Sequence, residues 1–276
     1  MPKEYIPTIT FKLYKGSVTI DFYEQYGHYK HVYIVRETGN WPISVTKATG
    51  MVDKSGPLGL WQERLSREFL QRALKEKVPF TDTLILEATT QYRIRKEEGA
   101  TTGGLVHDWI DKFLQGTKPP MPKEEKVLNG VTGFLEWFNK NDVKVEFNEQ
   151  IVYSKKYDYV GKLDVIIKAR IPGKGNTKHR ILFDYKTNNW ALDKKTNETF
   201  SRVYPEQRYQ LAGYQNAWEE ERGIGDIMGR YLLSIDKETG KFKEHFLDED
   251  PRAYKKDRDC FLAALTLKKR DKELSK

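Results

Sequence analysis

The decapeptide ILFDYKTNNW, Ile181 to Trp190, decides how this chain is read. Three apolar residues run directly into Asp184, Tyr185 and Lys186. An apolar run of this kind makes a buried strand. A carboxylate and an ammonium are costly there unless they are paired, hydrogen-bonded or bound to a metal. In a strand, residues i and i+2 share a face. Asp184 and Lys186 therefore point one way and Tyr185 the other. Twenty residues earlier, YVGKLDVII places Asp164 inside a second apolar strand. The turn PGKGNT makes the two strands an antiparallel pair and brings Asp164 towards Asp184.

Two carboxylates in one place repel, and one of them holds its proton unless a cation sits between them. A hard divalent ion such as Mg²⁺ takes oxygen ligands and keeps waters. Beside it, Lys186 can orient water or stabilise charge developing on a phosphate. Two acids and a lysine around a metal make a phosphodiester-hydrolysis set. An Asp-x-Lys triplet in a highly charged chain is otherwise an ordinary surface ion pair. The ILF run before it and the second acid in an apolar strand argue against that reading here.

Outward from this pair, the N-terminal segments ITFKLY, SVTIDFY and HVYIV alternate as hairpin strands. Leu60, Trp61, Leu65, Phe69, Leu70 and Leu74 are spaced as a helix within Pro57–Lys77. Thr81 or Asp82 caps a second helix to about Glu98. GATTGG, 99–104, reads as a break, and LVHDWIDKFL as a separate short helix. A further helix covers 124–139. Strands follow in VKVEF with EQIVYS, YVGKLDVIIKA and HRILFDYKT. Then come a helix over 205–222, two strands in MGRYLLSID and KFKEHFLD, and a terminal helix carrying Phe261, Leu262, Leu265 and Leu267. Helices on both sides of such strands predict an α/β protein with a mixed central sheet. The expected division is a β-rich appendage over 1–43 and a main domain over 44–276.

The 276 residues carry a formal net charge of +8, and 32% are charged while 13% are aromatic. The aromatic content argues against disorder, and the charge is compatible with an anionic partner such as nucleic acid. No apolar run is long enough for a membrane span, and the first residues lack the apolar core of a signal peptide. A single cysteine, Cys260, excludes an internal disulfide and a four-cysteine zinc or iron–sulfur site. A reducing cytoplasm is the expected setting.

GKLDVI, DYKT and QLAGY, in that order, resemble the PD-(D/E)XK nuclease superfamily, in particular its RecB-like and phage-type exonuclease branch. The matching positions are Gly161 with Asp164, Asp184 to Thr187, and Gln210 with Tyr214, the last two one helical turn apart. GGLVHDWIDKFLQG resembles the branch's Gly-x-x-His helix, FNEQIVY its lead-in strand with Glu149, and ISVTKATGMVDKSGPLGLW a segment of viral and mitochondrial exonucleases. The resemblance spans roughly Ser44 to Asp236. It implies a restriction-endonuclease-like sheet and Mg²⁺ or Mn²⁺ held by Asp164, Asp184, His107 and the Tyr185 carbonyl. Lys186 would act on water, and Gln210 and Tyr214 would orient the strand.

The resemblance implies an exonuclease acting on DNA, a single strand or strand end being favoured, with a place among recombination, repair or replication proteins in a bacterial or virus-infected cell. A structure-selective endonuclease on the same fold and a non-catalytic nucleic-acid-binding protein are the alternatives. Leu163 stands where the proline of the superfamily's name would be. The single cysteine separates the chain from the iron–sulfur members of the group. Trp190, Lys194, Lys195, Arg202, Tyr204 and Arg208, between the lysine strand and the glutamine helix, are the candidate strand contacts, offering cations to phosphate and rings to unpaired bases. His28 and His31 have no coherent metal spacing and read as structural. Each of the other residues has an ordinary alternative: His107 packing beside Val106 and Ile110, Glu149 solvated on its strand, Gln210 and Tyr214 as helix surface and core.

Overall fold

A computed structural model describes residues 5–171, 174–193 and 195–275. Three antiparallel strands come first: β1 (Ile9–Leu13), β2 (Val18–Tyr26) and β3 (Tyr29–Val35), in the order β1-β2-β3. The chain then enters the central sheet through a two-residue strand, β4 (Ile43–Ser44), and turns into a short helix, α1 (Val45–Thr49). Two long helices follow, α2 (Ser55–Lys75) and α3 (Asp82–Leu114), and then α4 (Glu125–Lys140). Strands β5 (Lys144–Ser154), β6 (Tyr159–Arg170) and β7 (Lys178–Asn188) form a meander. A small ladder, β8 (Ala191–Leu192) with β9 (Thr199–Phe200), leads to α5 (Pro205–Arg222). The chain closes with β10 (Arg230–Asp236), β11 (Phe242–Phe246) and α6 (Ala253–Leu274).

The six-stranded sheet runs β11-β10-β7-β6-β4, with β5 on the other edge of β6. It is mixed: β7 pairs parallel with β10 and antiparallel with β6, and β4 lies parallel to β6. This is the helix-flanked mixed α/β architecture expected from the sequence, with an antiparallel sheet at the N-terminus.

The alternation of the strands sorts the core into two layers. Leu182 and Leu232 face α1, α5 and α6, with Leu211, Trp218 and Phe261 in that layer. Ile181, Phe183, Tyr185 and Leu233 face α3 and α4, with Val106, Ile110, Val131 and Phe134. The N-terminal sheet buries Leu13, Ile20 and Val35 against Ile151 and Tyr153 of β5 and Val160 of β6. The Tyr14 hydroxyl donates to the Tyr153 carbonyl at 2.9 Å and fastens the two sheets together. Arg230 is fully buried, and its guanidinium is neutralised by Asp248 and Asp257, the latter at 2.9 Å. Breaking such a pair leaves an uncompensated buried charge. Among the described residues no helix is long and apolar enough to cross a membrane.

The break expected over 99–104 is absent. Residues 82–114 form one helix, roughly 50 Å long at 1.5 Å per residue, and the Thr81 side chain caps it by accepting from Leu84 N. Glycine lowers helix propensity by about 1 kcal/mol, so local sequence favours a break. Packing reverses that preference. Thr102 is buried, and a Cβ at Gly103 would touch the Thr187 hydroxyl at 3.5 Å. The small residues let the helix run past the end of β7.

Two substitutions separate these effects. Gly104 is exposed in mid-helix with nothing within 4 Å of a Cβ. Gly104→Ala should stabilise the protein by about 0.5–1 kcal/mol. A Cβ at Gly133 of α4 would lie 2.3 Å from the Gly240 carbonyl oxygen. Gly133→Ala should destabilise by roughly 1–3 kcal/mol. Urea denaturation of the two variants checks the contrast.

Candidate functional site

The β6–β7 ladder pairs Lys168 with Arg180, Ile167 with Ile181, Ile166 with Leu182 and Val165 with Phe183, and then stops. The next opposed positions in that register are Asp164 and Asp184. On its other edge, β6 pairs Val165 with Asn148 and Leu163 with Gln150 of β5, again passing over Asp164. The residue opposite it, Glu149, has φ 53, an uncommon backbone conformation for a non-glycine residue. Asp164 is thus left out of both ladders, at the point where the sheet forks.

Lys186 closes the fork. Its Nζ donates to Asp184 Oδ1 at 2.8 Å, lies 2.7 Å from Asp184 Oδ2, and is 3.8 Å from Asp164 Oδ2. His107 reaches in from α3, with Nδ1 4.0 Å from Asp164 Oδ2 and its ring 4.3 Å from that of Tyr185. On the α5 side, Gln210 Nε2 donates to the Tyr214 hydroxyl at 2.8 Å. The Tyr214 ring lies over Gly161, where a Cβ would come within 2.5 Å of it. Gly161 is therefore what allows Tyr214 to approach the strand that carries Asp164.

The charges respond to burial. Asp184 is pushed up to about 7, chiefly by burial, with Lys186 pulling it down and Asp164 adding repulsion. His107 is pushed down to about 4, by burial and then by the charge of Lys186, so its imidazole is neutral at neutral pH. Burial works against the Lys186 ammonium, but Asp184 and Asp164 outweigh it and the net shift is upward. Tyr214 is raised by burial and then by Asp164.

Asp164 Oδ2 is buried without a hydrogen-bond donor, and Asp184 Oδ2 is buried with only the Lys186 ammonium beside it, at 2.7 Å. Two such carboxylate oxygens beside a neutral imidazole suit a divalent cation in kind. Among the described residues, however, no three His, Cys, Asp or Glu side chains are gathered closely enough to hold an ion. The ammonium of Lys186 bridges the carboxylates instead, so a cation would have to take over that contact. Glu149 is turned to Lys162, with which it forms an ion pair. Lys162 shares a strand with Asp164 at i−2 and was legible from the period of two, yet sequence reasoning passed over it.

The strand contacts expected from the sequence divide. Lys195 and Arg202 are exposed, the latter with its guanidinium 4.7 Å from the Phe200 ring centroid. Trp190 is half-buried, its indole N–H donating to Ser234 Oγ at 3.0 Å. Tyr204 is exposed at the start of α5. Arg208 gives its guanidinium to the Leu247 carbonyl at 2.8 Å and to Asp257 at 3.0 Å, so it joins the buried Arg230 network and offers little to a phosphate. Lys194 lies outside the described residues.

No family profile matches the chain, and no curated protein does. Among solved structures, the crystal structure of a "Putative exonuclease" from Eubacterium rectale is similar at a TM-score of 0.40 and 12% identity. The match covers 61% of this chain and 66% of the other, so this chain spans just under two thirds of that neighbour's length. A TM-score this low leaves the chemistry to be argued from the residues of the site.

The buried acid gives the metal-free protein a pH signature. The folded state keeps the Asp184 proton up to about pH 7, whereas an unfolded aspartate releases it near ~4. The folded state binds more protons across that window, so this contribution to stability is lost as pH rises from about 4 to about 7. His107 acts in the opposite sense: its folded value of about 4 lies below the unfolded ~6.5, so its contribution grows as pH rises through that range. Comparing the parent with Asp184→Asn largely cancels the histidine. In EDTA, Asp184→Asn should raise Tm over the parent at pH 8, with the gain shrinking towards pH 4.5. Thermal melts across pH measure this, and a gain that does not vary with pH would mean that Asp184 is ionised throughout.

Proposed function

We infer that the chain is a divalent-metal-dependent deoxyribonuclease, acting as an exonuclease on DNA strands or strand ends. The observation that carries this reading is the fork itself: Asp164 and Asp184 opposed where β6 and β7 part, with Lys186 between them. A structural ion pair needs one acid and one base. A second acid with an unpaired buried oxygen lowers stability unless a further positive group is meant to arrive.

In this reading Asp164 and Asp184 hold Mg²⁺ or Mn²⁺, with His107 and the Tyr185 carbonyl completing the protein ligands. The bound ion supplies positive charge to a phosphate oxygen and lowers the pKa of a bound water. Lys186, relieved of bridging the carboxylates, orients the attacking water and stabilises charge gathering on the phosphate. Gln210 and Tyr214, locked together over Gly161, position the strand. Lys195 and Arg202 remain available for phosphate. Work alongside recombination, repair or replication proteins in the cytoplasm of a bacterial or virus-infected cell belongs to the same proposal and rests on the sequence resemblance.

Lys186→Ala should reduce cleavage by roughly a hundredfold or more while leaving DNA affinity nearly intact, because the lost contact forms in the transition state. Cleavage within about tenfold of the parent would remove Lys186 from the chemistry. End-labelled linear duplex and single-strand DNA, set against a covalently closed circle, separates exonuclease from endonuclease.

His107 provides an independent check. An imidazole ligand suits Mn²⁺ better than Mg²⁺. The parent should therefore work at least as well with Mn²⁺, and His107→Ala should bind Mn²⁺ more weakly in calorimetry. Unchanged Mn²⁺ affinity would make His107 a packing partner of Tyr185 alone.

A further inference from the structure

The carboxyl ends of the parallel strands β7 and β10 lie side by side, with Asn188 opposite Asp236. The next residue, Lys237, is held at both of its backbone polar groups. Its N–H donates to the Asn188 carbonyl at 3.1 Å, and Asn129 Nδ2 of α4 donates to its own carbonyl at 3.2 Å. The side chain then lies against α3. A Cβ at Gly99 would sit 3.6 Å from Lys237 Nζ, so the glycine leaves room for the ammonium beside the helix. Gly99 precedes His107 by eight residues on that helix, roughly 12 Å along the axis at 1.5 Å per residue. Between them, the Cβ position of Gly103 meets the Thr187 hydroxyl of β7. Lys237 is thus tied to the strand that carries Asp184 and Lys186 and to the helix that carries His107.

The charges around this lysine do not balance. Two acids, Glu238 and Glu98, and two bases, Lys126 and Arg95, act on it. Both acids are already engaged: Glu238 pairs with Lys126 at 2.8 Å and Glu98 with Arg95 at 3.0 Å. Among the described residues no carboxylate forms an ion pair with Lys237 itself. Burial, and then the charge of Lys126, pull its ammonium below the ordinary lysine range, and the two acids do not restore it. A half-buried ammonium left in this state is stabilised by an arriving anion, which favours the charged form.

We propose that Lys237 binds a backbone phosphate of the same nucleic-acid strand that occupies the Asp164–Asp184–Lys186 centre, at a point further along that strand. The ammonium stands on the two elements that build the centre, and a chain of phosphates is an anion that reaches both places. This deepens the nuclease reading and rests on it for the course of the strand, but the charge contact is measurable without cleavage.

The test uses the full chain in EDTA, so that bound strands stay intact. The probe is a fluorescent thymidine oligonucleotide, and fluorescence anisotropy gives its affinity over a series of salt concentrations. Each phosphate neutralised on a single strand contributes about 0.7 to the slope of log K against log salt. Lys237→Gln should therefore lower that slope by about 0.7, and Lys237→Arg should keep it. Lys12→Gln removes an exposed ammonium of the N-terminal sheet and should leave the slope as it is in the parent. The Tm of Lys237→Gln should be equal to or above that of the parent, because the charge removed is unpaired and faces Lys126.

An unchanged slope in Lys237→Gln overturns the contact. An equal fall in Lys12→Gln does the same, because net charge alone would then explain it. A lowered Tm in both Lys237→Gln and Lys237→Arg makes the residue structural. Inorganic phosphate that raises the Tm of the parent but not of Lys237→Gln, with the oligonucleotide slope unchanged, assigns the site to a free anion instead of a strand. Metal-dependent hydrolysis of bis-p-nitrophenyl phosphate by the parent reports on the centre alone. Its absence, alongside a slope that depends on Lys237, would remove the nuclease reading and leave the phosphate contact standing.

Discussion

Asp164 and Asp184 repel across a fork in a buried sheet, and much of the surrounding structure is arranged around that repulsion. The strands pair as far as Val165 and Phe183 and no further. Continuing one step would set two carboxylates side by side in a core of Ile166, Leu182 and Leu163. Lys186 resolves the conflict only in part: its ammonium sits against both oxygens of Asp184 but 3.8 Å from Asp164 Oδ2, which is left without a donor. A sheet that gave up ladder bonds for stability alone would be expected to fill the gap with an apolar pair.

Small residues let three elements come close to that fork. Gly161 receives the Tyr214 ring from α5. Gly103 brings α3 alongside Thr187 at the end of β7. Gly130 brings α4 against Val106, one residue from His107, where a Cβ would lie 2.7 Å from Cγ2. The site is therefore positioned from both helical layers, and the register of β6 and β7 determines where they meet.

The central meander was legible because its signals are local. The apolar runs, the turn between them and the alternation that puts Asp184 and Lys186 on one face all lie within 30 residues. The 99–104 segment misled because glycine and threonine weaken an isolated helix, while the contacts that keep it helical come from Thr187 and from the buried side of Thr102. Arg208 and Trp190 show the same limit. A sequence displays an arginine or an indole, but not that Asp257 or Ser234, more than 40 residues away, is waiting for it. Lys162 is a different case, because the two-residue period that linked Asp184 to Lys186 also links Lys162 to Asp164.

The unbroken course of α3 turns the distance from Gly99 to His107 into a question of phase. A loop at 99–104 could gain or lose a residue and still deliver the histidine to the same place. A continuous helix turns about 100° per residue. One residue added or removed there would carry the imidazole to another face of the rod, away from Asp164 and Tyr185, or else rotate the whole α2–α3 hairpin in compensation. The orientation of that hairpin and the aim of a single side chain at the fork are thus geometrically the same variable.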